Sequence, residues 1–288
     1  MSNLPLPPVK IQLGFSMHPR WCAGQGLKQF LAPLRRAGLT GLEFELDERL
    51  EDWAASLDLL AEAFDLGLGL SFHAPYRPPQ GLAGFHAAQR EQVQARLRPL
   101  LSIAESWAGR STACRTVVIH PAAAQGAALD GLRQDTRQGL VWILEEFPHL
   151  QLALENANPG KPGEARIGIE PAEILELVER VGDARLGACW DLGHDFLAHP
   201  EGGRAPAAAW LERVHHVHVH DVDPQGVDHY PLVYGRVPIR EWLPAWKAQG
   251  GAGLVVLELK GGQLAGWTPL EVERALTGSL EQLAEALA

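Results

Sequence analysis

Residues 151–191 read QLALENANPGKPGEARIGIEPAEILELVERVGDARLGACWD. An apolar run ends in Glu155, a glycine-rich loop follows, and residues 171–181 carry Ile, Leu and Val at three- and four-residue spacing behind Pro171. A second apolar run, 185–190, leads into Asp191. Proline pre-sets the first turn of a helix, and the three- and four-residue spacing gives that helix one apolar face. A strand, a crossover helix and a second strand make a parallel pair. Both runs are apolar almost throughout, as strands covered on both faces are.

The same alternation extends in both directions. Strands are expected at 11–17, 41–46, 69–73, 116–120, 151–155, 185–190, 214–219 and 254–259. Helices are expected at 26–37, 50–64, 85–107, 131–147, 171–181, 206–213, 238–248 and 270–287. Eight strands alternating with eight helices predict an α/β protein, a (β/α)8 TIM barrel forming a single domain over residues 1–288, with the barrel at about 10–287. An open doubly wound sheet would normally carry a glycine-rich phosphate loop after its first strand, and none follows residue 17. Residues 160–168 and 224–237 read as the long loops.

The chain has 288 residues, 46% hydrophobic and 21% charged, which is enough apolar material for a large core. No apolar run approaches the ~18 residues of a membrane span. The first residues, MSNLPLPPVK, lack a signal pattern, and the three cysteines (Cys22, Cys114 and Cys189) are odd in number and far apart. A cytoplasmic location is therefore expected. The net charge of −10 disfavours phosphate neutralisation as the main mode of binding.

In a barrel of this kind the chemistry sits at the C-terminal ends of the strands. Those ends are SFH (His73), VVIH (His120), LALE (Glu155), ACWD (Asp191, with His194 three residues on), VHHVHVHD (His216, His218, His220, Asp221) and VVLE (Glu258). Asp228 and His229 follow in the loop VDHYPL. A lone strand-end histidine is ordinarily a hydrogen-bonded core residue. Six consecutive strands ending in carboxylate or imidazole are another matter, because such groups are costly to bury unless paired or metal-bound. The mixture suits Zn, Mn, Co or Mg. Period two puts His216, His218 and His220 on one face of their strand, with His218 as the ligand and His216 packed below it. His220 is left as a supporting or substrate-facing group. His18 could line the mouth, Trp21 or Trp190 could wall a substrate, and Glu43 is either a rim acid or an ion-pair partner. Cys189 reads as a small core residue.

From IQLGFSM (11–17), through AGLTGLEFEL (37–46) and HAPY (73–76), to VVLELKG (255–261), the chain resembles the xylose isomerase-like TIM-barrel superfamily. That superfamily includes sugar isomerases and epimerases and is related to AP endonuclease family 2, the endonuclease IV type. Resemblance to the epimerase branch implies one divalent metal on Glu155, Asp191, His218 and Glu258. It makes Glu155 and Glu258 the pair that moves a proton through a metal-stabilised enediolate, and His194 a substrate contact. The small-molecule partner is then a sugar or sugar phosphate. Resemblance to the endonuclease branch implies up to three ions, with His73, His120 and Glu155 on a second. The third would use His194, His229 and an aspartate at the position held by Val227. The family's glycine-rich stretch is altered to LVYG at 232–235, and Asp228 would point elsewhere. In that branch Tyr76 would press into abasic-site DNA. Arg20, Arg77, Lys161, Arg166 and Arg236 would form a basic strip for DNA or grip a sugar phosphate. A metal-binding barrel serving as a non-enzymatic module is the third reading. Enzymes of this fold are often homo-oligomers, and no interface signal is evident in the chain.

Overall fold

A computed structural model describes residues 11–17, 21, 26–46, 53–76, 81–200 and 206–288. The strands are β1 (Gln12–Met17), β2 (Leu39–Glu45), β3 (Gly69–His73), β4 (Thr116–Ile119), β5 (Ala123–Gln125), β6 (Gln151–Glu155), β7 (Glu164–Arg166), β8 (Leu186–Asp191), β9 (Val214–Val219) and β10 (Leu254–Leu257). The helices are α1 (Leu27–Arg36), α2 (Trp53–Asp65), α3 (Arg90–Ala108), α4 (Leu129–Glu146), α5 (Pro171–Val181), α6 (Leu192–Ala198), α7 (Ala208–Leu211), α8 (Ile239–Ala248) and α9 (Pro269–Ala286).

Eight strands close into a parallel barrel in the order β1-β10-β9-β8-β6-β4-β3-β2, as expected from the sequence. Because every pairing is parallel, all eight C-terminal ends open on one rim. Two short strands were not expected. β5 and β7 pair antiparallel outside the barrel, and β7 falls in a stretch read as loop. Helix α6 was also unforeseen. No helix among the described residues is long and apolar enough to cross a membrane.

Period two divides each strand between two environments. Phe15, Leu42, Phe72, Val117, Leu154, Trp190, Val217 and Leu257 join the large apolar cluster beneath the helices. Val118, Ala153 and Cys189 form a separate small cluster. At the N-terminal end, a Cβ on Gly41 would lie 2.6 Å from Leu254 Cδ1, so a larger residue here would require that side chain to shift. Helix ends follow local chemistry. α9 begins in a capping box of Thr268 and Glu271, and α5 begins with Pro171 and ends at Gly182 in the left-handed conformation.

Candidate metal centre

The rim residues that share the inward parity converge. Ligand atoms of Glu155, Asp191, His218 and Glu258 all lie within 4.8 Å of one another. They come from β6, β8, β9 and the residue after β10. His218 Nδ1 stands 3.2 Å from Glu258 Oε2 and 3.6 Å from Glu155 Oε1. A second group, Asp191, His194, His220 and His229, adjoins it through the shared Asp191. On the other side, His120 Nε2 lies 2.9 Å from Glu155 Oε2 and 3.2 Å from His73 Nε2, and His73 Nε2 is 3.4 Å from the same Glu155 oxygen.

Local backbone structure aims these groups. Asp191 caps α6, its Oδ1 accepting the His194 N–H at 2.7 Å. His220 Nε2 approaches that same oxygen at 3.1 Å, so Oδ2 is left facing the cluster. Asn156 clamps Asp191 through two backbone hydrogen bonds of 2.7 and 3.0 Å. His194 Nδ1 donates to the Asn156 carbonyl at 3.0 Å, so in the neutral ring Nε2 carries the lone pair. A Cβ on Gly193 would lie 2.0 Å from the His220 ring, so only glycine lets α6 start this close. His229 is the one non-glycine among the described residues with positive φ, at 62°. Its Nδ1 lies 3.0 Å from Asp228 Oδ1, and its Nε2 faces Glu258 Oε2 at 3.4 Å.

The donor set fits a divalent cation. Both oxygens of Glu155, Asp191 Oδ2, Glu258 Oε2 and His218 Nδ1 are buried with no hydrogen-bond partner among the described residues. Buried carboxylate oxygens in that state are costly, and a cation among them removes the cost. The protonation equilibria say the same. Burial pushes Glu155 and Glu258 up, but the surrounding imidazoles outweigh it and hold both well below the usual carboxylate range. Burial pushes His73 down, yet the nearby carboxylate of Glu155, 3.4 Å away, with the charges of Glu258 and Glu43, lifts it to about 9. His218 is likewise raised well above its ordinary value against the effect of burial. In the metal-free protein, then, protons on imidazole balance carboxylates that a cation would otherwise neutralise.

A cavity of about 350 Å³ opens beside Glu258, lined in part by Ser16, Glu43, Glu45, His73, Tyr76 and Lys260. That is within the ~300–1,000 Å³ usual for small-molecule sites. Tyr76 stacks on His120 with ring centroids 4.6 Å apart, and thus borders both cluster and cavity.

All eight expected ligands, namely His73, His120, Glu155, Asp191, His194, His218, His229 and Glu258, are brought together. His216 lies below His218, as expected, and Cys189 is a buried core residue whose thiol burial pushes up. His18, Arg20, Cys22 and Arg77 lie outside the described residues. Two expectations need correction. Trp190 is not a substrate wall. It has the opposite parity to Asp191, packs against Trp242 of α8 with ring centroids 5.5 Å apart and tilted by 31°, and donates to Asp195 at 2.9 Å, in the layer beneath the helices. Arg236 does not line the cavity. Backbone N–H groups of Tyr234, Gly235 and Arg236 close on Asp221, and the Arg236 side chain is spent on the Asp223 carbonyl and the face of Phe196. Trp21 stacks on Phe15. Asn156 and the tie between His220 and Asp191 escaped the sequence reading. A polar Asn directly after a strand-end Glu was the available signal.

A family model described as a xylose isomerase-like TIM barrel matches residues 31–285. The uncharacterised protein MJ1311 of Methanocaldococcus jannaschii is 30% identical over 129 residues, 43% of this chain. The match spans about two fifths (42%) of that relative's length. Among solved structures, D-psicose 3-epimerase of Clostridium cellulolyticum H10 superposes with a TM-score of 0.69 at 15% identity, covering 96% of this chain and 99% of that one. D-allulose 3-epimerase of a Methylomonas species gives a TM-score of 0.68 at 17% identity, covering 97% and 99%. At these identities the likeness is one of fold.

Proposed function

Because the chain belongs to the xylose isomerase-like TIM-barrel family, we propose that it is a divalent-metal-dependent sugar or sugar-phosphate isomerase or epimerase. Glu155, Asp191, His218 and Glu258 hold the cation in this reading, and Glu155 and Glu258 are the acid/base pair. The observation that carries it is the convergence of those four side chains with their buried acceptor atoms unpartnered.

Bound there, Mn, Zn, Co or Mg supplies Lewis-acid stabilisation of negative charge on the substrate's oxygens. The rest belongs to the chain. Both glutamates are ionised and so able to accept a proton from the carbon beside a carbonyl. Glu258 lines the cavity, whereas Glu155 lies deeper, against His120 and His194. Epimerisation takes a proton from one face of a carbon and returns one on the other. Two carboxylates from β6 and the end of β10, three strands apart round the barrel, suit that task. Tyr76 and Glu45 border the space for the substrate.

The test is incorporation of solvent deuterium into ketoses, free and phosphorylated, by the Mn2+-loaded protein. Exchange is expected in the wild type and lost in Glu155→Gln and Glu258→Gln. Full turnover in both variants would remove the acid/base assignment.

A second reading, an endonuclease IV-like multi-metal phosphodiesterase, is favoured by one observation, the convergence of His73 and His120 on Glu155. Against it, Val227 is 42% exposed at the place where that branch has an acidic ligand, and Arg166 is spent on Asn158 and Glu164. Nicking of an abasic-site duplex at low salt would favour this reading over the first.

A further inference from the structure

Beneath the rim, three buried groups make a polar floor. Glu43 of β2 is 1% exposed, and its Oε2 accepts from Ser71 Oγ and from His216 Nε2, each at 2.9 Å. Its other oxygen, Oε1, meets His218 Nε2 at 2.9 Å, a charge contact rather than an aligned hydrogen bond. His218 thus has a carboxylate at each nitrogen: Glu43 at Nε2, and Glu258 with Glu155 at Nδ1. A neutral imidazole carries one N–H and one lone pair, and only the lone pair can bind a metal.

We propose that Glu43 is a positioning residue that keeps the His218 proton on Nε2 and so presents the Nδ1 lone pair to the cation. This rests on the cation site proposed above and adds a residue outside its four ligands. Carboxylate partners of ligating histidines fix ring orientation and tautomer in this way. The second oxygen explains why Glu43 itself cannot swing. Donors from Ser71 on β3 and His216 on β9 hold it from neighbouring and distant strands, so Oε1 stays under His218.

Glu43→Gln tests this at constant shape. Glutamine has one acceptor and one donor end. With His216 keeping its proton on Nε2, it and Ser71 Oγ claim the acceptor, so the amide N–H2 faces His218 Nε2. The ring must then accept there and carry its proton on Nδ1, which blocks the cation. The expected result is Mn2+ binding roughly 10–100-fold weaker by calorimetry. Imidazole 15N shifts of His218, read in metal-free protein at a pH where the ring is neutral, should move from the Nε2–H to the Nδ1–H form. Glu43→Asp keeps an acceptor under His218, and should keep the Nε2–H form and recover most of the affinity. Ser71→Ala should change affinity only a few-fold.

Wild-type affinity with an unchanged tautomer in Glu43→Gln overturns the proposal. So does Glu43→Asp that binds as weakly as Glu43→Gln while holding the Nε2–H form. A wild-type protein that binds no Mn2+ at all would instead sink the cation site, and the tautomer shift would still report on Glu43.

Discussion

His218 Nδ1 lies 3.2 Å from Glu258 Oε2 with no aligned hydrogen bond between them. Two groups of opposite charge tendency, buried at this distance, either share a proton or share a cation. Binding of a cation at Nδ1 must therefore expel a proton from an imidazole held well above its ordinary pKa. Mn2+ titrations in buffers of different ionisation enthalpy at pH 7 should show proton release. Heats that do not depend on the buffer would contradict it.

The metal-free protein should lose stability on the alkaline side. His73 titrates at about 9 in the fold against an ordinary 6.5, so its folded pKa is the raised one. The contribution is complete below pH 6.5 and disappears as pH rises through about 9, at most about 3 kcal/mol. Melting temperature should fall across this window, and His73→Gln should flatten the slope. A melting temperature that rises between pH 6.5 and 9 would contradict the assignment.

Asp191 does two jobs with two oxygens. Asp191→Asn keeps an acceptor for the His194 N–H, and so should keep the start of α6 to within about 1 kcal/mol. The lost charge should weaken Mn2+ binding by more than the ~10–100-fold expected of a supporting residue. Mn2+ calorimetry alongside thermal melts separates the two effects.

Trp190 is fully buried against Trp242. Trp190→Ala should cost about 3–5 kcal/mol of stability. Trp190→Phe should fold and leave KM for any accepted sugar unchanged. A large KM change in the folded Phe variant would return Trp190 to the cavity wall.

Much of this site was legible in the chain. Within VHHVHVHD, residues 216–220 alternate strictly, so His216, His218 and His220 had to share a face, and the strand-end carboxylates fell at one rim once the strands were counted. The same parity rule, applied to CWD, would have sent Trp190 outward when Asp191 pointed in. What was not legible depends on partners far away in sequence. Glu43 meets His216 across 173 positions, and nothing near Glu43 announces that its partners are histidines rather than an arginine. Helix α6 is seven residues long, too short for a periodic signal, and Asp191 as its cap is visible only in place. The three-residue strands β5 and β7 carry no alternation at all. Arg236 looked free because the closure of its own loop on Asp221 is a backbone event, which side-chain identity does not encode.

Anomalous diffraction from crystals soaked in Mn2+ tests the central claim most directly. The account predicts a peak bonded to Glu155, Asp191, Glu258 and Nδ1 of His218, at roughly 2.0–2.3 Å from each ligand atom. An empty barrel mouth at saturating Mn2+, or a peak only at surface carboxylates away from His218, would contradict it.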